Sequence, residues 1–276
     1  MTNRLFISIF CCFISISIVA QTNDYDKFRE LNAGIGYMEY MNTATIPSGL
    51  PGTIYRLEYH GGKVSKLNAN RTYEFVARSD YAYMIRNGLN TDLNIPYYHG
   101  EIKLGAICRQ IVPIAIPNFT IDAGLGFSVN VLTGYNPTYT YENLYNRLYP
   151  YGNWFVSPDL HFDISYHANK FNFNGGFCTP LLVTGFFYEY QNSPYDIKNF
   201  GSGVKYIITP NTFAFFPNYF RFDGYLSATY LLTSTDKSQL HLKLNYSYES
   251  LTSTIHFNSE KKQKQLLSIG LVILRK

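Results

Sequence analysis

Strict alternation of apolar and polar residues constrains this chain more than any other feature. In 119–131 the odd positions carry Phe, Ile, Ala, Leu, Phe, Val and Val, whereas the even positions carry Thr, Asp, Gly, Gly, Ser and Asn. The stretches 72–86 and 240–249 alternate in the same way. A period of two places successive side chains on opposite faces of a β-strand, whereas an amphipathic helix needs a period of about 3.6. The pattern predicts an all-β fold.

Candidate strands are joined by connections rich in Asn, Pro, Gly and Ser, with no linker that would divide the chain. An antiparallel up-and-down barrel with both termini on one side needs an even number of strands, so one segment must be split or merged, around 170–217 or 52–67. We therefore expect 10 or 12 strands. The eleven candidates are 30–41, 52–62, 70–86, 97–111, 117–133, 154–168, 170–190, 201–209, 218–233, 238–256 and 263–275.

Strand length and composition favour a transmembrane barrel over the alternative of a secreted, soluble β protein. Several candidate strands are long, whereas strands of soluble proteins usually have about 5–6 residues and a tilted membrane crossing needs about 9–11. Only 15% of residues are charged, against roughly a quarter in soluble domains. Aromatic residues near strand ends fit interfacial girdles: Tyr37, Tyr40, Tyr55, Tyr59, Tyr73, Tyr81, Tyr83, Phe187, Tyr188 and Tyr190.

The N-terminus has the pattern of a secretory signal peptide. Arg4 precedes an apolar, Ser-rich stretch over 5–19, and small residues lead to a cleavage point after Ala20. We expect residues 1–20 to be a signal peptide and residues 21–276 to form one barrel. After residue 20 the sequence has no apolar run of 18 residues, so no transmembrane helix is expected.

The Ala20-Gln21 junction, the opening LNAGIGYMEY, the closing QLLSIGLVILRK and the abundance of Tyr and Asn resemble small outer-membrane β-barrels of Bacteroidota-type bacteria, whose function is uncharacterised. The resemblance spans 21–276. It departs from the pattern at the end, where such barrels carry an aromatic residue and this chain carries Arg275 and Lys276. It implies a location in the outer membrane of a Gram-negative cell envelope, in contact with outer-membrane lipid.

If the apolar face contacts lipid, the polar face lines the lumen. Opposite charges on adjacent strands lie about 4.5–5.5 Å apart at Cβ, and small barrels are filled by their own side chains. We expect a charge-paired lumen that is plugged or very narrow. Its predicted polar cluster comprises Glu74, Arg78, Asp80, Glu101, Lys103, Arg109, Asp122, Asp159, His161, Asp163, Arg221, Asp223, His241 and Lys243.

The segment DLHFDISYH, 159–167, places groups that enzymes use at every second position. Successive residues on one face are about 6.6–6.8 Å apart, too far for a relaxed hydrogen bond between Ser165 and His167. Asp159, His161 and Asp163 could bind a metal in principle, but zinc ligands normally converge more tightly. We expect no catalytic, cofactor or metal site. An outer-membrane lipid hydrolase of the lipid A deacylase or phospholipase type is the alternative, although its His-x-Ser motif is not matched.

Three further features bear on partners. The connection 134–153 carries six tyrosines, which predict either a self-packed extracellular cap or a surface that binds other envelope proteins: Tyr135, Tyr139, Tyr141, Tyr145, Tyr149 and Tyr151. The small basic cluster Lys261, Lys262 and Lys264 is interpreted as a solvated loop, and no nucleic-acid surface is expected. Cys108 and Cys178 are predicted on opposite faces, without a disulfide.

The leading hypothesis is a non-enzymatic outer-membrane barrel, either structural, partner-binding or a narrow, porin-like conduit for small solutes.

Overall fold

The computed structural model describes residues 26–42, 46–66, 68, 70–87, 94–112, 114, 116–135, 151–190, 206–214, 216–254 and 260–276. These residues form strand segments and short turns; among them, no helix is long and apolar enough to cross a bilayer. The segments are β1 Lys27–Asn42, β2 Ile46–Val64, β3 Arg71–Asn87, β4 Asn94–Val112, β5 Phe119–Tyr135, β6 Tyr151–Ala168, β7 Phe171–Pro180, β8 Val183–Tyr190, β9 Tyr206–Ala214, β10 Tyr219–Ser234, β11 Ser238–Ser253 and β12 Glu260–Arg275.

The twelve segments that the structure describes close into an antiparallel barrel of ten strands. β7 and β8 both pair with β6, so together they form one barrel strand. β9 pairs with β8 and β10 pairs with β7, so these two also form one barrel strand. β1 pairs with β12 along its whole length and closes the cylinder. Among the described strands, closure leaves no open sheet edge, as a lipid environment requires.

The prediction of 10 or 12 strands is confirmed at ten. The miscount lay within 170–217, because the described part of candidate 201–209, residues 206–209, belongs to the same barrel strand as 218–233. Two cross-strand pairs, Val183↔Ala214 and Cys178↔Asp223, flank the point where β8 follows β7 and β10 follows β9. Between these pairs the chain has eight residues on one strand (215–222) and four on the other (179–182). The extra residues interrupt the hydrogen-bond ladder between the two strands, as a β-bulge does. In the sequence, such an interruption resembles a turn between two separate strands. The predicted signal peptide lies outside the described residues.

The two ends of the barrel differ. Consecutive strands lie close in sequence at the end that also holds Lys27 and Arg275, here called the turn end: Val64 and Arg71, Val112 and Phe119, Ala168 and Phe171, Ser234 and Ser238. At the other end, here called the loop end, longer sequence intervals separate consecutive strands, with 136–150 between Tyr135 and Tyr151 and 191–205 between Tyr190 and Tyr206.

The exterior of the barrel is apolar. Large aliphatic and aromatic side chains are exposed along the strands, among them Leu31, Ile35, Leu57, Phe75, Ile102, Leu125, Phe127, Leu226, Leu244, Leu267 and Ile269. A continuous apolar surface of this kind does not fit the soluble alternative. Ring pairs lie at both ends of this surface, Tyr83–Tyr98 at 5.4 Å between centroids near the loop end and Phe171–Tyr230 at 4.9 Å near the turn end.

Most of the predicted girdle residues lie on this exterior. Six of the predicted tyrosines are exposed: Tyr37, Tyr55, Tyr59, Tyr73, Tyr81 and Tyr83. The prediction is wrong for Tyr40, which is buried inside the barrel and stacks on Tyr97 with 6.2 Å between ring centroids. Tyr40 is separated from Tyr37 by three positions, so the period of two places it on the inner face. The side chains of Phe187, Tyr188 and Tyr190 lie outside the described part.

Candidate functional site

The lumen is the candidate functional site, and its contents change along the barrel axis. Apolar side chains fill it toward the loop end, buried ion pairs cross it near the middle, and a polar cavity occupies it toward the turn end. We call these three regions the apolar layer, the ion-pair layer and the vestibule.

The apolar layer consists of two adjacent clusters, to which each of the ten barrel strands contributes at least one inward residue. These side chains expose between 0% and 4% of their surface. A pore wide enough for a hydrated solute would leave them accessible to water. The members are Met38, Tyr40, Leu50, Ile54, Ala82, Met84, Tyr97 and Leu266 in one cluster, and Leu132, Phe155, Val183, Ala214, Tyr219 and Leu251 in the other.

Glu101 on β4 is the centre of the ion-pair layer. Its carboxylate accepts hydrogen bonds from Lys262 Nζ at 2.8 Å, from Lys264 Nζ at 2.6 Å and from Arg221 Nη2 at 2.9 Å. Lys262 and Lys264 belong to β12 and Arg221 to β10, so these contacts run across the lumen. Arg78 Nη2 adds a longer contact at 3.4 Å. A buried carboxylate needs this degree of compensation because its desolvation is costly.

Two further acids extend the layer to neighbouring strands. Asp80 on β3 accepts a bidentate pair from Arg56 on β2, with both N–O distances at 2.7 Å, and also contacts Lys264. Planar guanidinium and carboxylate groups match in this arrangement, which fixes their mutual orientation. Glu249 on β11 contacts Arg56, and its Oε1 lies 2.8 Å from Arg78 Nη1. The network therefore joins β2, β3, β4, β10, β11 and β12 through their side chains.

The interpretation of the Lys261, Lys262 and Lys264 cluster as a solvated loop is wrong. β12 begins at Glu260, so the lysines lie within a strand, and Lys262 and Lys264 are buried in the ion-pair layer. Only Lys261 is exposed. The backbone of both lysines is closer to the loop end than that of Leu266, which belongs to the apolar layer. Their long aliphatic side chains let the ammonium groups reach acids on other strands. The sequence did contain the pattern that predicts this burial, because the even positions from 262 to 272 all lie on the inward face of one strand.

The vestibule is a cavity of about 410 Å³ near the turn end, and most of the residues that line it are of polar type. Arg109 Nε donates to Glu74 at 2.7 Å, and Lys243 Nζ donates to Glu30 at 2.7 Å. Tyr225 donates its hydroxyl proton to Asp163 at 2.5 Å. Its walls are therefore held by charged pairs, while its centre stays open.

The predicted polar cluster lies in two adjoining regions, and Arg78 and Asp223 border both. Arg78, Asp80, Glu101, Arg221 and Asp223 meet in the ion-pair layer. The others line the vestibule: Glu74, Lys103, Arg109, Asp122, Asp159, His161, Asp163, His241 and Lys243. The predicted cluster left out four buried members of the ion-pair layer: Arg56, Glu249, Lys262 and Lys264. For Arg56 and Glu249, the alternation of their strands had already placed the side chain on the inward face.

The segment DLHFDISYH is one wall of the vestibule. Asp159, His161, Asp163 and Ser165 line the cavity, while Ile164 is exposed on the outside of the barrel. His167 lies at the turn end and is exposed. The row of reactive groups is thus the wet side of a strand whose other side faces lipid.

The remaining predicted features are only partly described. Cys108 and Cys178 are free thiols, and Cys178 lines the vestibule. Tyr135 ends β5 and Tyr151 begins β6, with side chains outside the described part. Tyr139, Tyr141, Tyr145 and Tyr149 lie outside the described residues.

Comparison with known proteins supports the architecture. No protein-family model matches the chain, and no curated protein matches it. Among solved structures, the outer membrane protease OmpT from Escherichia coli is similar over 94% of this chain and 99% of that one, with a TM-score of 0.55 and 9% identity. The translocator domain of autotransporter NalP from Neisseria meningitidis is similar over 99% and 94%, with a TM-score of 0.46 and 9% identity. At 9% identity the OmpT likeness shows the fold alone. That fold and the lipid-facing exterior make this chain an outer-membrane β-barrel.

Proposed function

We propose that this chain is a sealed, non-enzymatic outer-membrane barrel that acts as a structural or partner-binding component of the envelope, of the small Bacteroidota type. The observation that carries the proposal is the closed lumen. Met38, Ile54 and Met84 in the apolar layer expose none of their surface, and neither does Lys264 in the ion-pair layer. A solute crossing the barrel would have to displace both layers.

The ion-pair layer argues against a conduit for small solutes. Glu101, Asp80 and Glu249 are each held by at least three Lys or Arg side chains. Breaking a buried pair by removing one partner costs about 3–5 kcal/mol, so opening this layer would need several such costs at once. A fixed set of buried pairs stabilises the wall and does not form a path.

The loop end would provide the contact with partners. The connection 134–153 carries six tyrosines, and tyrosine supplies large contact area at protein interfaces. The partner class we propose is another protein of the cell envelope, in addition to the surrounding outer-membrane lipid. A variant lacking 138–148 should keep the barrel folded and lose any envelope protein that co-purifies with the full chain.

Single-channel recording in a planar bilayer tests the sealed lumen. The wild-type barrel, folded and reconstituted, should show no discrete conductance steps. The double variant Met84→Ala, Lys264→Ala removes side chains from both layers and should conduct, which shows that an opened barrel is detectable. Both proteins must first show the gel mobility change on boiling that folded barrels show. Regular conductance steps from the wild type would replace this proposal with the narrow-conduit hypothesis.

The non-enzymatic part of the proposal rests on the orientation of Ser165. Its side chain lines the vestibule, on the face opposite the acyl chains. A serine that attacks membrane lipid would need to reach those chains. Mass spectrometry of lipid A and phospholipids from cells with and without the protein should give identical profiles.

A further inference from the structure

Three potential metal ligands converge on one wall of the vestibule. Asp159 and His161 alternate on β6, so both point inward, and Cys178 on β7 is the direct cross-strand partner of His161. One donor atom from each residue lies within 4.8 Å of the other two. His161 Nε2 lies 3.7 Å from Cys178 Sγ.

We propose that Asp159, His161 and Cys178 bind a divalent transition metal of the zinc class. Carboxylate oxygen, imidazole nitrogen and thiolate sulfur are the donors that zinc uses in proteins. Sulfur and nitrogen donors together disfavour magnesium and calcium, which prefer oxygen alone. Three protein ligands leave a fourth position of the tetrahedron directed into the cavity.

The neighbours of the three residues support a site for a cation. Ser157 donates to Asp159 Oδ1 at 2.6 Å, which orients the carboxylate and leaves its other oxygen for the metal. Gly126 provides room for the imidazole, because a Cβ at that position would lie 2.7 Å from His161 Nε2. Position 126 therefore cannot carry a side chain while the His161 ring keeps this place.

Charge at the site balances when the metal binds. The thiol of Cys178 loses its proton to the solvent of the vestibule, and thiolate plus carboxylate neutralise a divalent cation. Lys103 Nζ lies 3.8 Å from Asp159 Oδ2 but also 3.4 Å from Asp223 Oδ2. Lys103 can therefore pair with Asp223 when the metal takes Asp159, and its remaining positive charge should weaken binding.

The sequence-based expectation of no metal site considered donors along a single strand. Asp163 is held by Arg109 and by the hydroxyl of Tyr225, so it is engaged elsewhere. The third ligand instead comes from β7. The cross-strand register of His161 and Cys178 depends on the turn at 169–170 and on pairing through Gly175 and Gly176, which alternation alone does not fix.

Titration of the folded, full-length barrel in detergent with Co²⁺, followed by displacement with Zn²⁺, tests the site. We expect one Co²⁺ per chain, with the sulfur-to-metal charge-transfer absorption that a thiolate ligand produces, removed by Zn²⁺. Cys178→Ser should abolish that absorption and weaken binding by at least about tenfold. Cys108→Ser is the matched control and should change neither. Lys103→Gln should tighten binding, an effect that a purely structural role for these residues does not predict.

Absence of stoichiometric Co²⁺ binding to the wild type would overturn the proposal. So would a charge-transfer band that survives in Cys178→Ser or disappears in Cys108→Ser. If Cys178→Ser does not fold, as judged by gel mobility without boiling, Ser157→Ala and Lys103→Gln decide the matter. The former should weaken Co²⁺ binding about tenfold and the latter strengthen it, and unchanged affinity in both would count against the site.

Discussion

Lys264 Nζ lies 2.6 Å from Glu101 Oε2, and neither side chain exposes any of its surface. The two residues belong to β12 and β4, which are separated in the sheet by β1, β2 and β3. The contact therefore spans the lumen rather than linking adjacent strands. It makes the interior of the barrel a packed, charge-compensated core, in which each acid depends on cations from distant parts of the chain.

Glu101→Gln should lower the free energy of unfolding by about 3–5 kcal/mol. The substitution keeps the shape of the side chain but removes the negative charge that Lys262, Lys264 and Arg221 share. These cations would then be buried together without sufficient compensation. Urea unfolding in lipid vesicles, followed by tryptophan fluorescence, measures the change.

Glu58→Gln is the matched control for this prediction. Glu58 lines the vestibule and, within the described part of the chain, accepts one long hydrogen bond, 3.4 Å, from Asn32 Nδ2. Its loss should cost less than about 1 kcal/mol. Equal destabilisation by the two variants would mean that the ion-pair layer has no special weight.

Gly36→Ala should prevent the barrel from closing. A Cβ at position 36 would overlap the backbone carbonyl oxygen of Gln265 and lie 2.7 Å from Leu266 Cα, so the side chain has no space at the seam between β1 and β12. Gly105→Ala is the control, because its Cβ would meet its nearest neighbour at 3.6 Å, an ordinary contact. The fraction of refolded protein that migrates as a folded barrel without boiling should fall sharply for the first variant only.

Leu267→Arg should destabilise the inserted barrel by about 2–4 kcal/mol, whereas Leu232→Arg should cost about 0–1 kcal/mol. Both leucines face outward, with 55% and 50% of their surface exposed. Leu267 lies near the middle of β12, at the depth of the hydrocarbon centre, and Leu232 lies near the turn end of β10. Unfolding from vesicles gives the comparison, and equal effects would contradict the outward, lipid-facing orientation.

The sequence predicted the wall of the barrel well, because alternation directly records which face each side chain occupies. The polar faces of β3, β4 and β6 were assigned from this period alone, and the inward positions of Arg78, Glu101 and Asp159 follow from it. What alternation does not record is which strands face each other across the lumen. The contacts across the lumen depend on the number of strands and on their stagger. Both are affected by the four-residue insertion after β9.

The apolar layer was not predicted, for a different physical reason. Near the loop end both faces of several strands are apolar, as with inward Ile54 and outward Tyr55. Successive side chains there still point alternately into and out of the barrel. Because both sets are apolar, the sequence no longer shows an alternation of apolar and polar residues. The pairing of Cys178 with His161 escaped for a third reason, because it is a relationship between two strands and not a pattern within either.

The position of the two buried lysines on β12 has a consequence for closure of the barrel. Glu101 has four Lys or Arg neighbours, and two of these, Lys262 and Lys264, lie on β12, which pairs with β1 at the seam. A barrel in which β12 has not yet paired with β1 leaves the Glu101 carboxylate with only half of its cationic neighbours. Pairing of this strand is thereby coupled to neutralisation of the centre of the barrel, so an open sheet is disfavoured by its own electrostatics.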